Sequence, residues 1–268
     1  MNPMEYQQFS EQLTARLAAD GRVLGLVAAG SMAAQDTMPD RWSDHDFFVI
    51  TRPGAQEAMK RDLTWLPQAD EIILSFRETA HGMKVLYRRG HLLEMAMFAP
   101  DELDGVRLNR HRVLVDKERI ADRMATLAAL VDGEPYADAG RLFGQLLVNL
   151  LVGGWRHARG ERLSGRQFVK NHAVYQLLLI WPLLHPLPEG GLLDNLDPFR
   201  RVERLYPRFG AELNQILELG TLETAVQLLA LAENACRPHL TPFPAEAAQV
   251  VRRLLAELAA GEGENGGG

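Results

Sequence analysis

The hydrophobic pattern of this chain changes once, near residue 117, and that change limits what it can fold into. Before it, the apolar runs are short and separated by turn residues: Val23–Ala29 (VLGLVAA), 47–50 (FFVI), 71–76 (EIILSF), 83–87 (MKVLY), Leu92–Phe98 (LLEMAMF) and 112–115 (RVLV). Runs of this length between Gly and Pro punctuation read as strands. An amphipathic helix precedes them over 4–20, with Tyr6, Phe9, Leu13 and Leu17 on one face. From residue 118 to 258 apolar residues recur instead at three- and four-residue steps with short breaks, the pattern of neighbouring antiparallel helices. The expectation is an α+β chain: a small mixed-sheet domain over 1–117, an all-helical bundle over 118–260, and a Gly-rich disordered tail over 261–268.

The stretch from Gly30 to Val49 (GSMAAQDTMPDRWSDHDFFV) carries the chemistry. Gly30 and Ser31 interrupt the first apolar strand, and a Gly-Ser pair at a strand end offers backbone N–H groups and a hydroxyl to a phosphate oxygen. Gly lets the backbone approach its ligand closely. Asp44 and Asp46 stand at the mouth of the second strand, two residues apart and therefore on one side of it. Two carboxylates held together repel unless a cation lies between them, and an all-oxygen site suits a hard divalent ion such as Mg²⁺. His45 between them points the other way, as a packing or hydrogen-bonding residue.

Gly-Ser, a gap and then Asp-x-Asp, with "WSDHDFFV" on the second strand, resembles the polymerase-β-like nucleotidyltransferases. Within them it is most similar to the adenylyltransferases that modify aminoglycosides and lincosamides. Two positions depart from that pattern. Met32-Ala33-Ala34 stands where an Arg usually follows the Ser, and His45 stands where an apolar residue is usual. The resemblance in motif covers residues 25–100; beyond that it is one of architecture, a sheet domain followed by helices. It implies a Mg²⁺-dependent enzyme, with two ions held by Asp44, Asp46 and a third acid on a neighbouring strand. It further implies ATP as co-substrate, with Gly30 and Ser31 at the nucleotide, and a small-molecule hydroxyl as acceptor.

Glu94, alone among apolar residues in LLEMAMF, is the candidate for that third acid, as metal ligand or as the base for the acceptor hydroxyl. The other reading of Glu94 is the solvent face of an edge strand. Asp70 and Glu71 are weaker candidates at a strand start. A triphosphate also needs protein cations. Lys170, in the polar stretch RQFVKNHAVYQ, is the chosen phosphate contact, with a solvated helix face as the other reading and Lys84 as a weaker alternative from the sheet.

Composition narrows the partners. The 268 residues carry a formal net charge of −6, against a general nucleic-acid binder and in favour of a cationic small substrate. The single cysteine, Cys236, excludes an internal disulfide and reads as a small core residue. Without a signal peptide or a membrane-length apolar run, the expected location is cytoplasmic. A second function class stays open, a regulatory or antitoxin-type protein that keeps the fold and binds a partner. A nucleotidyltransferase acting on a protein or an RNA is a third possibility, with the acidic balance counting against RNA.

Overall fold

The computed structural model describes residues 2–33, 38–106, 111–129, 138–188, 193–194 and 197–265. It divides into two compact units, Met1–Asp132 and Gly133–Gly268. The fold is α+β, a mixed sheet followed by a helical C-terminal region.

The first unit opens with helix α1 (Pro3–Ala19), whose start is fixed by a reciprocal cap between Asn2 and Glu5. Tyr6, Phe9, Leu13 and Leu17 form its buried face, as the spacing requires. The strands follow: β1 (Val23–Ala29), β2 (His45–Thr51), β3 (Ile72–Arg77), β4 (Gly82–Tyr87), β5 (Leu92–Phe98) and β6 (His111–Asp116). A short helix α2 (Gln56–Arg61) joins β2 to β3. Among the described residues the sheet runs β3-β4-β5-β2-β1-β6. The β2–β5 pair is parallel and the others are antiparallel.

One sheet face packs on α1 through Leu26, Ala28, Phe47, Val49, Leu93, Met95 and Met97. The other face carries Val27, Ile50 and Phe98 against Ile120, Met124 and Leu127 of helix α3 (Ile120–Ala129). Asp116 caps α3, its Oδ1 accepting from the Ile120 N–H at 2.7 Å, so the chain turns straight from β6 onto the sheet. The apolar stripe of α3 is buried by the sheet, so this helix belongs to the first unit. The end of this helix, expected at Val131, lies outside the described residues.

The second unit comprises α4 (Ala139–Ala158), α5 (Arg162–Gln167), a π-helical stretch (Phe168–Ala173), α6 (Val174–Leu184), α7 (Val202–Leu205), α8 (Pro207–Glu218), α9 (Thr221–Cys236) and α10 (Ala245–Asn265). Its core includes Phe143, Leu146, Leu150, Val169, Leu177, Leu228 and Leu255. Gly153 and Gly165 let α4 and α5 touch backbone to backbone. A Cβ at Gly165 would stand 2.8 Å from the Gly153 carbonyl oxygen. Cys236 is buried, and burial pushes its thiol up to about 12. Helix α10 continues to Asn265, so the first five positions expected as tail, 261–265, are helical; 266–268 lie outside the described residues. Among the described residues no helix is long and apolar enough to cross a membrane.

Candidate active site

The site is built where β1 ends and β2 begins. Ala29 pairs with Asp46 across these strands, so the Gly-Ser turn starts beside the carboxylate-bearing strand. Gly30 adopts φ +52, the left-handed region that favours glycine, and opens a 3₁₀ turn over Gly30–Ala33. A Cβ at this position would lie 2.6 Å from Asp46 Oδ2. The loop backbone therefore rests directly against the Asp46 carboxylate. Ser31 Oγ lies 3.4 Å from the Asp44 carbonyl oxygen, which ties the other half of the motif to the same turn. The segment that begins at Ala34 lies outside the described residues. Arg112 of β6 reaches the turn from the side, with its guanidinium 3.4 Å from the Met32 carbonyl oxygen.

Strand pairing then extends the row. Asp46 is in register with Glu94 on β5, and Glu94 is in register with Lys84 on β4. Register partners share a face, and adjacent strands are about 4.8 Å apart, so Asp46, Glu94 and Lys84 stand side by side. Further along that face Phe48 and Ala96 pack with the α3 cluster, leaving the polar row at the open end. Strand β5 lies inside the sheet, between β4 and β2, so the edge-strand reading of Glu94 does not hold. Its Oε1 accepts from Lys84 Nζ at 2.8 Å, and Lys84 also pairs with Glu78 at 3.2 Å. These two hydrogen-bonded carboxylates, Glu94 first, raise the Lys84 pKa and keep the ammonium charged.

The underside of β2 is gripped by α1. Tyr6 donates its hydroxyl to the Asp44 carbonyl oxygen at 2.8 Å, and its oxygen lies 3.4 Å from Ser31 Oγ. Its ring stacks on His45 at a centroid separation of 3.7 Å. Burial pushes the Tyr6 phenol well above its ordinary pKa, with the charges of Asp46 and Asp44 acting in the same direction. One turn on, Ser10 donates to the Tyr6 carbonyl at 3.0 Å, so its oxygen accepts from His45 Nε2 at 2.9 Å. His45 Nδ1 is then an acceptor, for His91 Nε2–H at 2.8 Å, a tautomer assignment fixed by the hydrogen-bond chain. Burial, reinforced by His91, lowers the His45 pKa to about 3, and burial lowers His91 to about 4. Both imidazoles are neutral near pH 7. His45 is a packing and hydrogen-bonding residue, as its place between two outward carboxylates requires.

Tyr6 and His91 are the residues that sequence reasoning missed. Tyr6 shows in the sequence only as one apolar position of α1. A cavity of about 670 Å³ on the α1 side, bordered by Tyr6, Ser10, Glu11, Met32, Arg112 and Leu114, is not lined by Asp44, Asp46 or Glu94.

Lys170 belongs to the second unit. Its Nζ donates to the Leu217 and Leu219 carbonyl oxygens, each at 2.5 Å, at the end of α8. These carbonyls lack partners within their own helix, and a lysine is a common cap for them. Burial lowers the Lys170 pKa. Lys170 is thus hydrogen-bonded within its own unit, and Lys84 is a lysine that the sheet brings beside Glu94.

Among the described residues no three His, Cys, Asp or Glu side chains converge as a metal cage would need. In this structure the Glu94 carboxylate is held by Lys84. Mg²⁺ commonly takes only one or two carboxylates, with waters and substrate phosphates completing its shell, and the oxygen donors of Asp44 and Asp46 fit that demand.

No protein-family model matches this chain, and no curated protein matches it. Among solved structures, an aminoglycoside 6-adenyltransferase from Bacillus subtilis aligns over 97% of this chain and 96% of its own, at 12% identity and a TM-score of 0.35. A chain of the E. coli MS115-1 CdnC:HORMA-deltaN complex aligns over 95% of this chain and 90% of its own, at 12% identity and a TM-score of 0.31. Superpositions this loose carry no argument about function, which rests on the site itself.

Proposed function

We propose that this chain is a nucleotidyltransferase that moves AMP from ATP onto a hydroxyl of a small molecule and releases pyrophosphate. One observation carries the reading: the glycine of the phosphate-type turn rests on the carboxylate of the Asp-x-Asp strand, Gly30 against Asp46 Oδ2. A triphosphate seated on the turn is then within reach of the acidic row. Asp44 and Asp46 are the residues that would hold Mg²⁺, which when bound supplies positive charge to the phosphates.

The turn N–H groups and the Ser31 hydroxyl bind phosphate oxygens, and Lys84 adds a cation from the sheet. The acceptor oxygen attacks the α-phosphorus, a new O–P bond forms, and the bond to the β-phosphate oxygen breaks. In this reading Glu94, held by Lys84 in the free protein, takes the acceptor proton once its carboxylate exchanges Lys84 for substrate. The net charge of −6 favours a cationic acceptor, and aminoglycosides are the first class to test.

The test is pyrophosphate release from ATP with Mg²⁺ and a panel of hydroxylated antibiotics, for the wild type and Asp46→Asn. Release that needs both Mg²⁺ and Asp46 supports the reading. The lysine on Glu94 favours the second reading, a binding protein with this fold. Tight Mg²⁺–ATP binding without release under any acceptor would decide for it.

A further inference from the structure

We propose that Tyr6 is a positioning residue that sets the spacing between the Ser31 turn and the Asp44–Asp46 carboxylates. The inference rests on the transferase reading and adds to it a residue outside the motif.

Three contacts from one face of α1 converge on the start of β2. Tyr6 donates to the Asp44 carbonyl at 2.8 Å, its ring lies 3.7 Å from the His45 ring, and Ser10 accepts from His45 Nε2 at 2.9 Å. Asp44 immediately precedes the first residue of β2, and the phenol holds its carbonyl at the mouth of the strand. A phenol has one proton, and Tyr6 gives it to Asp44. The single Ser31 hydroxyl proton is then shared between the Tyr6 oxygen and the Asp44 carbonyl. At 3.4 Å from both Tyr6 Oη and the Asp44 carbonyl, the Ser31 hydroxyl is restrained weakly. The firm link holds the carboxylate strand and the loose one leaves Ser31 able to turn toward a phosphate.

A residue that served packing alone would need the ring and not the hydroxyl. Here the ring packs on His45 while the hydroxyl reaches 38 positions along the chain to a backbone atom of the acidic motif. Small displacements of reacting groups slow transfer steeply, by about 100-fold for an ångström.

Tyr6→Phe keeps the ring and removes the link. With wild-type transfer established, kcat should fall about 10- to 100-fold while the KM for ATP stays within about threefold. Phe9→Leu, a packing change on the same helix, should lower the thermal midpoint and spare kcat. An unchanged kcat in Tyr6→Phe overturns the proposal. Backbone hydrogen exchange gives a readout that needs no activity. In Tyr6→Phe it should accelerate at residues 43–47 and stay unchanged at 82–87. If the wild type releases no pyrophosphate but exchange accelerates at 43–47 alone, the transferase reading falls and the clamp stands. Exchange that is unchanged, or faster everywhere, overturns the clamp whatever the activity.

Discussion

Asp46 lies directly opposite Glu94 across the parallel β2–β5 pair, and Lys84 stands on the far side of Glu94 in the next strand. Two acids and one lysine in a row make an asymmetric pair of carboxylates. Glu94 has a countercharge from the sheet; Asp46 has the backbone of the Gly30 turn against it.

This asymmetry separates the roles of the two acids. Asp46→Asn should abolish Mg²⁺-dependent transfer with little loss of folding. Glu94→Gln should bind Mg²⁺ and ATP almost normally and lose kcat by about 10²–10⁴-fold, the range for a missing general base. Calorimetric titration with Mg²⁺–ATP and steady-state kinetics on both variants would check this. If Glu94→Gln loses Mg²⁺ affinity, Glu94 serves the ion and the base lies elsewhere.

Gly30 is held by two constraints. Its φ of +52 costs a residue with a Cβ about 1–2 kcal/mol, and that Cβ would press on Asp46 Oδ2 at 2.6 Å. Gly30→Ala should therefore lose far more activity than stability, because relief comes by moving the carboxylate. Thermal midpoints and rates on the same sample test it. A loss of rate no larger than the loss of stability implies would show that Asp46 does not act from this position.

Lys170 is expected to behave as a helix cap. Lys170→Met removes two hydrogen bonds to the Leu217 and Leu219 carbonyls and should destabilise the helical unit by about 1–3 kcal/mol. The KM for ATP should be unchanged in the folded fraction. A selective rise in that KM, with stability intact, would return Lys170 to the nucleotide.

The contrast between Lys170 and Asp46 explains what could be read from the sequence. The turn at Gly30 and the strand that carries Asp46 were legible because strand alternation and turn chemistry are local. Strand β5 and the buried face of α1 were legible for the same reason. The neighbours of Glu94 were not, because strand order places β5 beside β2, and no periodicity encodes that order. Lys170 showed its charge and not the carbonyls it would meet. A local turn also ends α2: Asp62 accepts from the Thr64 N–H at 3.0 Å and from its hydroxyl at 2.7 Å, and the helix stops at Arg61 before Pro67. Helix α7 is confined to Val202–Leu205, with Arg201 before it at φ +70, a conformation that a helical apolar pattern does not announce.

The buried histidines give the last expectation, an acid-sensitive fold. Their chain has one direction, from His91 Nε2–H to His45 Nδ1, and from His45 Nε2–H to Ser10. A second proton on His45 would set donor against donor. In the folded state His45 is lowered to about 3 and His91 to about 4, from an ordinary value of 6.5. Between 6.5 and those values the unfolded chain binds more protons than the folded one, so acid favours unfolding. The contribution is fully present above pH 6.5 and is lost as pH falls through the interval. Each histidine adds a slope of up to about 1.4 kcal/mol per pH unit. Between about pH 6.5 and 5 unperturbed carboxylates scarcely titrate, so the histidines dominate there. His91→Gln keeps a donor for His45 Nδ1 and removes one titrating group. Urea unfolding free energies measured from pH 7.5 to 5 should fall with acid in the wild type, with a smaller slope in His91→Gln. An equal slope in the two proteins would show that the pair is not neutral in the folded state.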